Sequence, residues 1–405
     1  MLTDQAVILC GGLGTRLRPI TDTMPKPMVP VCGRPFLEHL LRQLIGEGIT
    51  EVVLLTGYLG DVIERHFGDG SSLGIKISYS RGPEKWDTGR RLWEARRLMK
   101  EHFYLLYGDN YATFHTDRVE RMFLRHGRLG CLSLHAREKN ANIRFAAEGL
   151  VDAYDRSRTA PGLNAVEIGY MLLSSRVFEF YRQPDCSFSE ILESLAQKGQ
   201  LAAHLIGDDY YSVSDPERLE ITEQYLTPKK ILLIDRDGTI NEKAPRGEYI
   251  TRWDDFRFIS TTVEGMKQLA AQGWSFIVIS NQAGVGRGVM TTEQVWEIDR
   301  RMVEALAREG ITILRSYYCL HHWTEECRCR KPRPGMLFRA SRDFLLPLSR
   351  AWYIGDDPRD CTAAWEAGCR AAYLGELREL ELLPAEQRPQ LVLHELPDLL
   401  QSLTD

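Results

Sequence analysis

The 405-residue chain nowhere runs 18 consecutive apolar residues, which excludes a bilayer-spanning helix of ordinary length. Its opening, MLTDQAVILCGG, lacks a basic region leading into a long apolar stretch and a small-residue cleavage site, so a cytoplasmic protein is expected. Basic residues are not in excess: 51 Lys and Arg stand against 56 Asp and Glu, a net charge of −5. Neither nucleic acid nor an anionic membrane is therefore expected as a partner, and any phosphate must be met by local groups. Cysteine is sparse and odd in number, nine in all, which argues against a disulfide framework. Cys10, Cys32, Cys131, Cys186, Cys361 and Cys369 read as small buried or half-buried residues. Short-period repeats and low-complexity tracts are missing too, so a solenoid is set aside. The oligomeric state is not encoded in any of these features.

What is present is an ordinary folded composition, 43% apolar and 26% charged, in a chain too long for one core. Twice a short apolar run breaks into a glycine-containing polar turn, at AVILCGGLGTR (6–16) and ILLIDRDGTIN (231–241). Each reads as the first strand of an α/β domain. The segment TPKK (227–230) follows the amphipathic PERLEITEQYL, and the expected division is a domain at 1–226, a linker at 227–230 and a domain at 231–405. Runs such as EVVLLTG, FYLLYGD, WSFIVIS and AWYIGDD alternate with helical stretches such as PFLEHLLRQLIGEG, the pattern of mainly parallel sheets.

In GGLGTRLRPITDTMPKP the glycines Gly11, Gly12 and Gly14 directly follow a strand, where backbone N–H groups can approach phosphate oxygens. Arg16 and Lys26 add positive charge, and Asp109 of YLLYGDN lies at another strand end, where ligands bind in such sheets. The string GGxGTRL…PKP resembles the sugar-1-phosphate nucleotidyltransferases, the heptose 1-phosphate guanylyltransferases most of all, from residue 5 to about 225. That resemblance implies a Rossmann-like mixed sheet and a nucleoside triphosphate held by Gly11, Gly12, Gly14, Thr15, Arg16 and Lys26. It also implies Mg²⁺ on Asp109, and Lys139, Glu167 and Gly169 on the sugar side. The implied chemistry is attack of a sugar phosphate oxygen on the α-phosphorus with loss of pyrophosphate, GTP being the expected nucleotide. Two segments depart from the family. WDTGRRLWEA carries Asp87, Arg90 and Arg91 where a GTAGA-like turn is usual. SVSDPE puts Ser212 where a second metal aspartate stands, leaving Asp209 or Asp215 as substitutes.

In IDRDGTIN, Asp235 and Asp237 sit two residues apart at the end of an apolar strand. One can attack phosphorus while the other protonates the leaving oxygen and later activates water. Mg²⁺ bridging Asp235 and the phosphate would suppress anionic repulsion. Ser280 of FIVISNQAGVGRG, Lys331 of CRKPRPG and Asp356 of WYIGDDPRD complete a set of hydroxyl, cation and carboxylate in chain order. This resembles the haloacid dehalogenase phosphatase superfamily from 230 to about 380, specifically the branch of heptose bisphosphate and histidinol phosphatases. The resemblance implies a doubly wound parallel sheet, Asp235 as nucleophile, Asp237 as acid and base, and Ser280 and Lys331 as phosphoryl stabilisers. Arg330, Asn281 and Gln282 would bind substrate, and Asp235, Asp237 and Asp356 would serve Mg²⁺. Asp357 stands where the branch often has lysine.

The segment YYCLHHWTEECRCRKPRPG crowds Cys319, His321, Cys327 and Cys329 together, four donors suited to a closed tetrahedral Zn²⁺ site. His322 is the alternative histidine. The branch carries such a structural zinc loop, which here ends directly before Arg330 and Lys331. The expected function is a bifunctional enzyme of nucleotide-heptose synthesis acting on phosphorylated heptose and a nucleoside triphosphate. Two rivals stand beside it: a histidinol or other small phosphomonoester phosphatase, and a phosphatase whose first domain only senses a sugar nucleotide.

Overall fold

The backbone divides at the Thr227–Pro228 bond into two units, Met1–Thr227 and Pro228–Asp405. The structure is a computed structural model that describes residues 1–146, 148–245 and 247–403. No helix among the described residues is long and apolar enough to cross a membrane.

The first unit runs in chain order through β1 (Gln5–Cys10), β2 (Pro30–Val31), β3 (Arg34–Pro35), α1 (Phe36–Gly46), β4 (Glu51–Thr56), α2 (Gly60–Phe67), β5 (Lys76–Arg81) and α3 (Thr88–Ala95). It continues with β6 (His102–Tyr107), β7 (Asn110–Ala112), α4 (Thr116–His126), β8 (Gly130–Ala136), β9 (Ile143–Phe145), β10 (Val151–Tyr154) and β11 (Ala165–Ser174). It closes with α5 (Phe188–Gln197), β12 (Leu201–Ile206), β13 (Tyr210–Ser212) and α6 (Pro216–Leu226). Nine strands form one mixed sheet in the order β10-β9-β11-β6-β1-β4-β5, with β8 joining β11 to β12. β1 lies parallel to β4 and β6, whereas β11 runs antiparallel to β6. Val7, Leu55, Phe103, Leu105 and Met171 on one face pack with Leu92 of α3 and Leu192 and Leu195 of α5 in a single buried cluster. The ribbon of β7 and β13 pairs Asn110 with Ser212, which brings the end of this unit beside Asp109. α6 starts where Asp215 accepts the Arg218 N–H at 3.0 Å and Pro216 takes the first turn, a proline position that sacrifices no intrahelical bond.

The second unit follows with β14 (Ile231–Ile234), α7 (Ser260–Ala271), β15 (Ser275–Asn281), α8 (Thr292–Arg308), β16 (Ile313–Cys319), α9 (Gly335–Phe344), β17 (Trp352–Gly355), α10 (Pro358–Ala367), β18 (Arg370–Leu374) and β19 (Leu391–Leu393). Six parallel strands take the order β16-β15-β14-β17-β18-β19. Both faces are covered. Leu232 and Ile234 join the cluster that includes Met266 of α7 and Ile298 of α8, while Leu233 joins that of Leu337 of α9 and Ala364 of α10. The chain winds outward through β15 and β16, then returns to place β17 against the other side of β14. The crevice where winding reverses lies at the ends of β14 and β17, directly before Asp235 and Asp356.

Candidate active sites

At the end of β14 the Asp235 N–H donates to the Ile354 carbonyl of β17 at 2.8 Å, fixing a nearly buried carboxylate at the crevice. The Lys331 ammonium lies 2.8 Å from Asp235 Oδ1 and 2.7 Å from Asp360 Oδ1. It is also 2.8 Å from the Tyr353 hydroxyl and 3.1 Å from the Ile279 carbonyl. Burial pushes the Asp235 carboxyl above the usual range, Lys331 pulls it back, and the neighbouring charges of Asp360 and Asp237 push it up again. Burial works against the Lys331 charge, yet Asp235 and Asp360 hold its pKa above the ordinary lysine value. A buried cation between two carboxylates stays charged because the two together outweigh the lost solvation.

Asp237 is held differently. Arg236, itself fully buried, donates from Nη2 to both of its oxygens at 3.0 Å. Asn241 donates at 3.0 Å and Gln282 at 2.5 Å. Burial would raise the Asp237 pKa, but Arg236, Asn241 and Gln282 outweigh it and the net shift is downward. The Gln282 amide also donates to Ser280 Oγ at 3.2 Å. Asn281 brackets the Lys331 backbone, accepting its N–H at 3.0 Å and donating to its carbonyl at 3.1 Å. Both amides assigned to substrate are thus engaged by the protein itself, and they position Asp237, Ser280 and Lys331. Arg330 keeps one buried guanidinium nitrogen, Nη1, without a hydrogen-bond partner among the described residues.

Asp235, Asp356 and Asp360 bring carboxylate oxygens within 4.8 Å of one another. Three hard oxygen donors around one point suit Mg²⁺. The Asp237 carboxylate is not among them: its oxygens are engaged by Arg236, Asn241 and Gln282. Asp356 accepts from Thr239 at 3.1 Å and pairs with the Lys243 ammonium. Burial and then the Asp235 charge raise its pKa against the pull of Lys243. Asp357 caps α10 and pairs with Arg359 at 2.7 Å, which holds its carboxyl down at about 2 despite burial.

The four zinc-type donors converge as well. Cys319 Sγ lies 3.7 Å from Cys327 Sγ and 3.6 Å from His321 Nδ1, and Cys329 Sγ lies 3.2 Å from the same nitrogen. All fall within 4.8 Å, and every cysteine is free. A tetrahedron with Zn–S bonds of about 2.3 Å has S···S edges of about 3.8 Å, so the donor set fits. His322 is turned away, bonded to Thr324 at 2.6 Å and lying against the Trp323 ring.

In the first unit a cavity of about 410 Å³ opens beyond the ends of β1 and β6. Gly11, Gly12, Gly14, Lys26 and Asp109 line it, together with Tyr107 and Trp86. The Lys26 ammonium sits on Asp109 Oδ2. Thr15 and Arg16 follow in a single 3-10 turn and do not line the cavity. Glu167 in β11 accepts the Gly169 N–H, with Tyr107 beside it; burial raises its carboxyl to about 7 and Asp109 adds to the rise. Gly169 has φ of 81°, and a Cβ there would strike the Tyr107 ring, so glycine is required. Lys139 is exposed in the loop after β8 and does not line the cavity. Ser212 is buried, 3.1 Å from Ser214 Oγ and 3.4 Å from Arg218 Nη1. Asp215 is used as a helix cap, and Asp209 lies 3.6 Å from His135. Among the described residues no group of three or more metal-type ligands includes Asp109.

Two family models match the chain: Nucleotidyl transferase over residues 5–154, and HAD-hydrolase-like over 328–399. A D-glycero-alpha-D-manno-heptose 1-phosphate guanylyltransferase of Campylobacter jejuni is 33% identical over 217 residues, 53% of this chain and 96% of the relative. A D-glycero-beta-D-manno-heptose-1,7-bisphosphate 7-phosphatase of Photorhabdus laumondii is 34% identical over 175 residues, 42% of this chain and 92% of the relative. The chain is a fusion of these two families. A solved structure assigned as a glucose-1-phosphate thymidylyltransferase of Bacillus anthracis, 19% identical, covers 54% of this chain and 93% of its own with a TM-score of 0.50, which speaks for the fold of the transferase unit.

In the phosphatase unit, sequence reasoning passed over Asp360, Arg236, Tyr353 and Lys243. Asp360 was within reach: it lies four residues after Asp356, and Pro358 starts a helix between them, so both carboxylates face the strand ends. Arg236 carried a weaker signal, a charged side chain between two aspartates. In the transferase unit, the arginines of the charged turn are engaged by the protein itself. Arg90 pairs with Glu94 at 2.6 Å and Asp185 at 3.3 Å and lies over the Trp86 ring. Arg91 is buried.

Proposed function

We propose that the phosphatase unit removes the 7-phosphate of D-glycero-D-manno-heptose 1,7-bisphosphate and that the transferase unit joins the resulting heptose 1-phosphate to GMP, releasing pyrophosphate. The observation that carries this reading is the pairing itself: one chain joins relatives whose named reactions follow one another. The two names differ in anomer, and consecutive action requires one. We take it to be α, the anomer named for the transferase relative.

In the first half-reaction the Asp235 carboxylate attacks phosphorus, the bond from phosphorus to the C7 oxygen breaks, and Asp237 protonates that oxygen. Asp237 is then the base for a water that attacks the aspartyl-phosphate, freeing phosphate and regenerating Asp235. Arg236 and the amides keep Asp237 ionised at rest, so it acquires its proton when a phosphate dianion arrives and raises its pKa. Lys331, Ser280 and Arg330 stabilise the phosphoryl oxygens, with Asn281 and Gln282 holding them in place. Asp235, Asp356 and Asp360 would hold Mg²⁺, which when bound offsets the charge on the phosphate. Cys319, His321, Cys327 and Cys329 would hold zinc in a closed, structural site.

In the transferase, the sugar phosphate oxygen attacks the α-phosphorus and pyrophosphate leaves. Backbone N–H groups of the Gly11–Gly14 loop and the Lys26 ammonium face the phosphates, Glu167 accepts from sugar hydroxyls, and Asp109 would hold Mg²⁺. Residues 1–226 and 231–405 carry the two activities. Mass spectrometry of products from the α- and β-bisphosphates with mixed nucleotides tests the whole scheme. A GDP-heptose from the α-anomer is expected; free heptose 1-phosphate with every nucleotide untouched would reduce the first unit to a binding domain.

A further inference from the structure

Arg91 projects from α3 into the floor of the nucleotide cavity, 5% exposed. Its two terminal nitrogens meet five backbone carbonyls from three segments. Nη1 donates to Thr56 at 2.7 Å and Gly82 at 3.5 Å; Nη2 donates to Pro83 at 2.9 Å, Gly11 at 3.2 Å and Glu84 at 3.5 Å. The packing leaves no slack, because a Cβ on either Gly11 or Gly57 would overlap the guanidinium. Gly11 opens the phosphate loop, Thr56 ends β4, and Gly82–Glu84 begins the opposite wall that carries Trp86 and Asp87. One planar fork therefore sets the separation of the two walls, a geometry that guanidinium supplies and a single ammonium does not.

Charge gives Arg91 a second property. The charged side chains lining the cavity are Glu84, Asp87 and Asp109 against Lys26 and Arg91. Lys26 is committed to Asp109. The Asp87 carboxylate is engaged with the Thr88 N–H at 2.6 Å and acts on Arg91 only at longer range. Among the described residues Arg91 makes no ion pair, so its buried positive charge is met at contact only by carbonyl dipoles, with Asp87 acting at longer range. Such a charge is costly unless an anion completes it.

We propose that Arg91 is a positioning residue for the nucleotide, tying the glycine loop to the facing Gly82–Glu84 wall and keeping an unpaired positive charge beside the polyphosphate. This rests on the transferase reading of the first unit. It accounts for an arginine where the family's small residue would stand: the side chain replaces space with a staple and a charge. Arg91 acts through the loops it holds, not by contact with the reacting atoms.

The test uses the full chain and two variants, Arg91→Met and Arg91→Lys, with near-ultraviolet circular dichroism and the phosphatase rate as controls of folding. Calorimetry with inorganic pyrophosphate reads the charge; kcat and KM for GTP read the walls. Arg91→Met is expected to weaken pyrophosphate binding and raise the GTP KM roughly 10- to 100-fold. Arg91→Lys is expected to restore most of the pyrophosphate affinity yet leave kcat about tenfold down, since one ammonium cannot hold five carbonyls. Arg91→Met binding pyrophosphate and GTP as the wild type does would overturn the proposal. So would Arg91→Lys with unchanged kcat and KM, which is also the deciding measurement if Arg91→Met does not fold. A wild type that binds neither GTP nor pyrophosphate would overturn the transferase reading itself, and the proposal with it.

Discussion

One side-chain amide, that of Asn281, closes both backbone hydrogen bonds of Lys331. Asn281 is also the register partner of Cys319 across β15 and β16, so Cys319, Asn281 and Lys331 form one continuous support. Replacing Asn281 with Ala removes the bracket while leaving the ammonium intact. Phosphatase kcat is expected to fall roughly 10- to 100-fold, as for loss of an orienting partner, with nucleotidyl transfer unchanged. An unaltered kcat would show that the ion pairs alone hold Lys331.

Zinc is expected to act on the phosphatase through the same support. Cys327→Ser takes one thiolate from a closed site, so metal content measured by atomic emission should drop and the loop before Arg330 should loosen. Turnover of the phosphomonoester should fall by about 10- to 100-fold, whereas pyrophosphate release stays near the wild-type rate. Full phosphatase activity in zinc-free protein would refute the link.

The two chemistries should separate by mutation. Asp235→Asn abolishes phosphate release and spares transfer from ready-made heptose 1-phosphate; Asp109→Ala does the reverse. Loss of both activities in a folded Asp235→Asn chain would contradict independent sites.

At Ser212 the expected gain is in metal requirement. Ser212 pairs with Asn110, one residue from Asp109, and Arg218 approaches its hydroxyl. Ser212→Asp should lower the Mg²⁺ concentration for half-maximal transfer, and an unchanged or raised requirement would mean that Arg218 absorbs the new charge.

Glu167 gives the pH dependence. Burial lifts its carboxyl from 4.5 to about 7, so between those values the folded chain keeps a proton that the unfolded chain has lost. Stability from this group is therefore largest at low pH and declines as pH rises through that window, by up to about 3 kcal/mol. Comparing denaturant midpoints of the transferase unit at about pH 5 and about pH 8, the wild type should lose more than Glu167→Gln; equal losses would place the proton elsewhere.

Strand runs and strand-end carboxylates were readable in the sequence because parallel sheets bury apolar stretches on both faces and end in their functional residues. That Asp235 meets Lys331, and that Cys319, His321, Cys327 and Cys329 meet one another, could be read from motif order alone. What the motifs did not show is who occupies whom. Asn281 and Gln282 look like ligand-facing amides in SNQ, yet Asn281 binds Lys331, 50 positions on, and Gln282 binds Asp237, 45 positions back. The motif did not show that the Asp237 carboxylate is held by Arg236, buried beside it. Arg91 reads as an obstruction until its five carbonyls appear. Apart from the Arg236–Asp237 contact between chain neighbours, these are tertiary hydrogen bonds, which local spacing does not encode.

Lys331 has more acceptors around it than an ammonium has hydrogens: two carboxylates, a carbonyl and a tyrosine oxygen compete for three N–H bonds. A phosphate can therefore win this lysine only by exchange, and the partner best placed to yield is Asp235. In the proposed half-reaction, phosphorylation of Asp235 removes the charge of the carboxylate, and the lysine's hold passes to the phosphoryl group it now carries. Hydrolysis returns the charge to Asp235 and the ammonium with it. The lysine thus keeps step with the covalent state of the nucleophile, its allegiance changing twice in each turnover without the side chain having to travel.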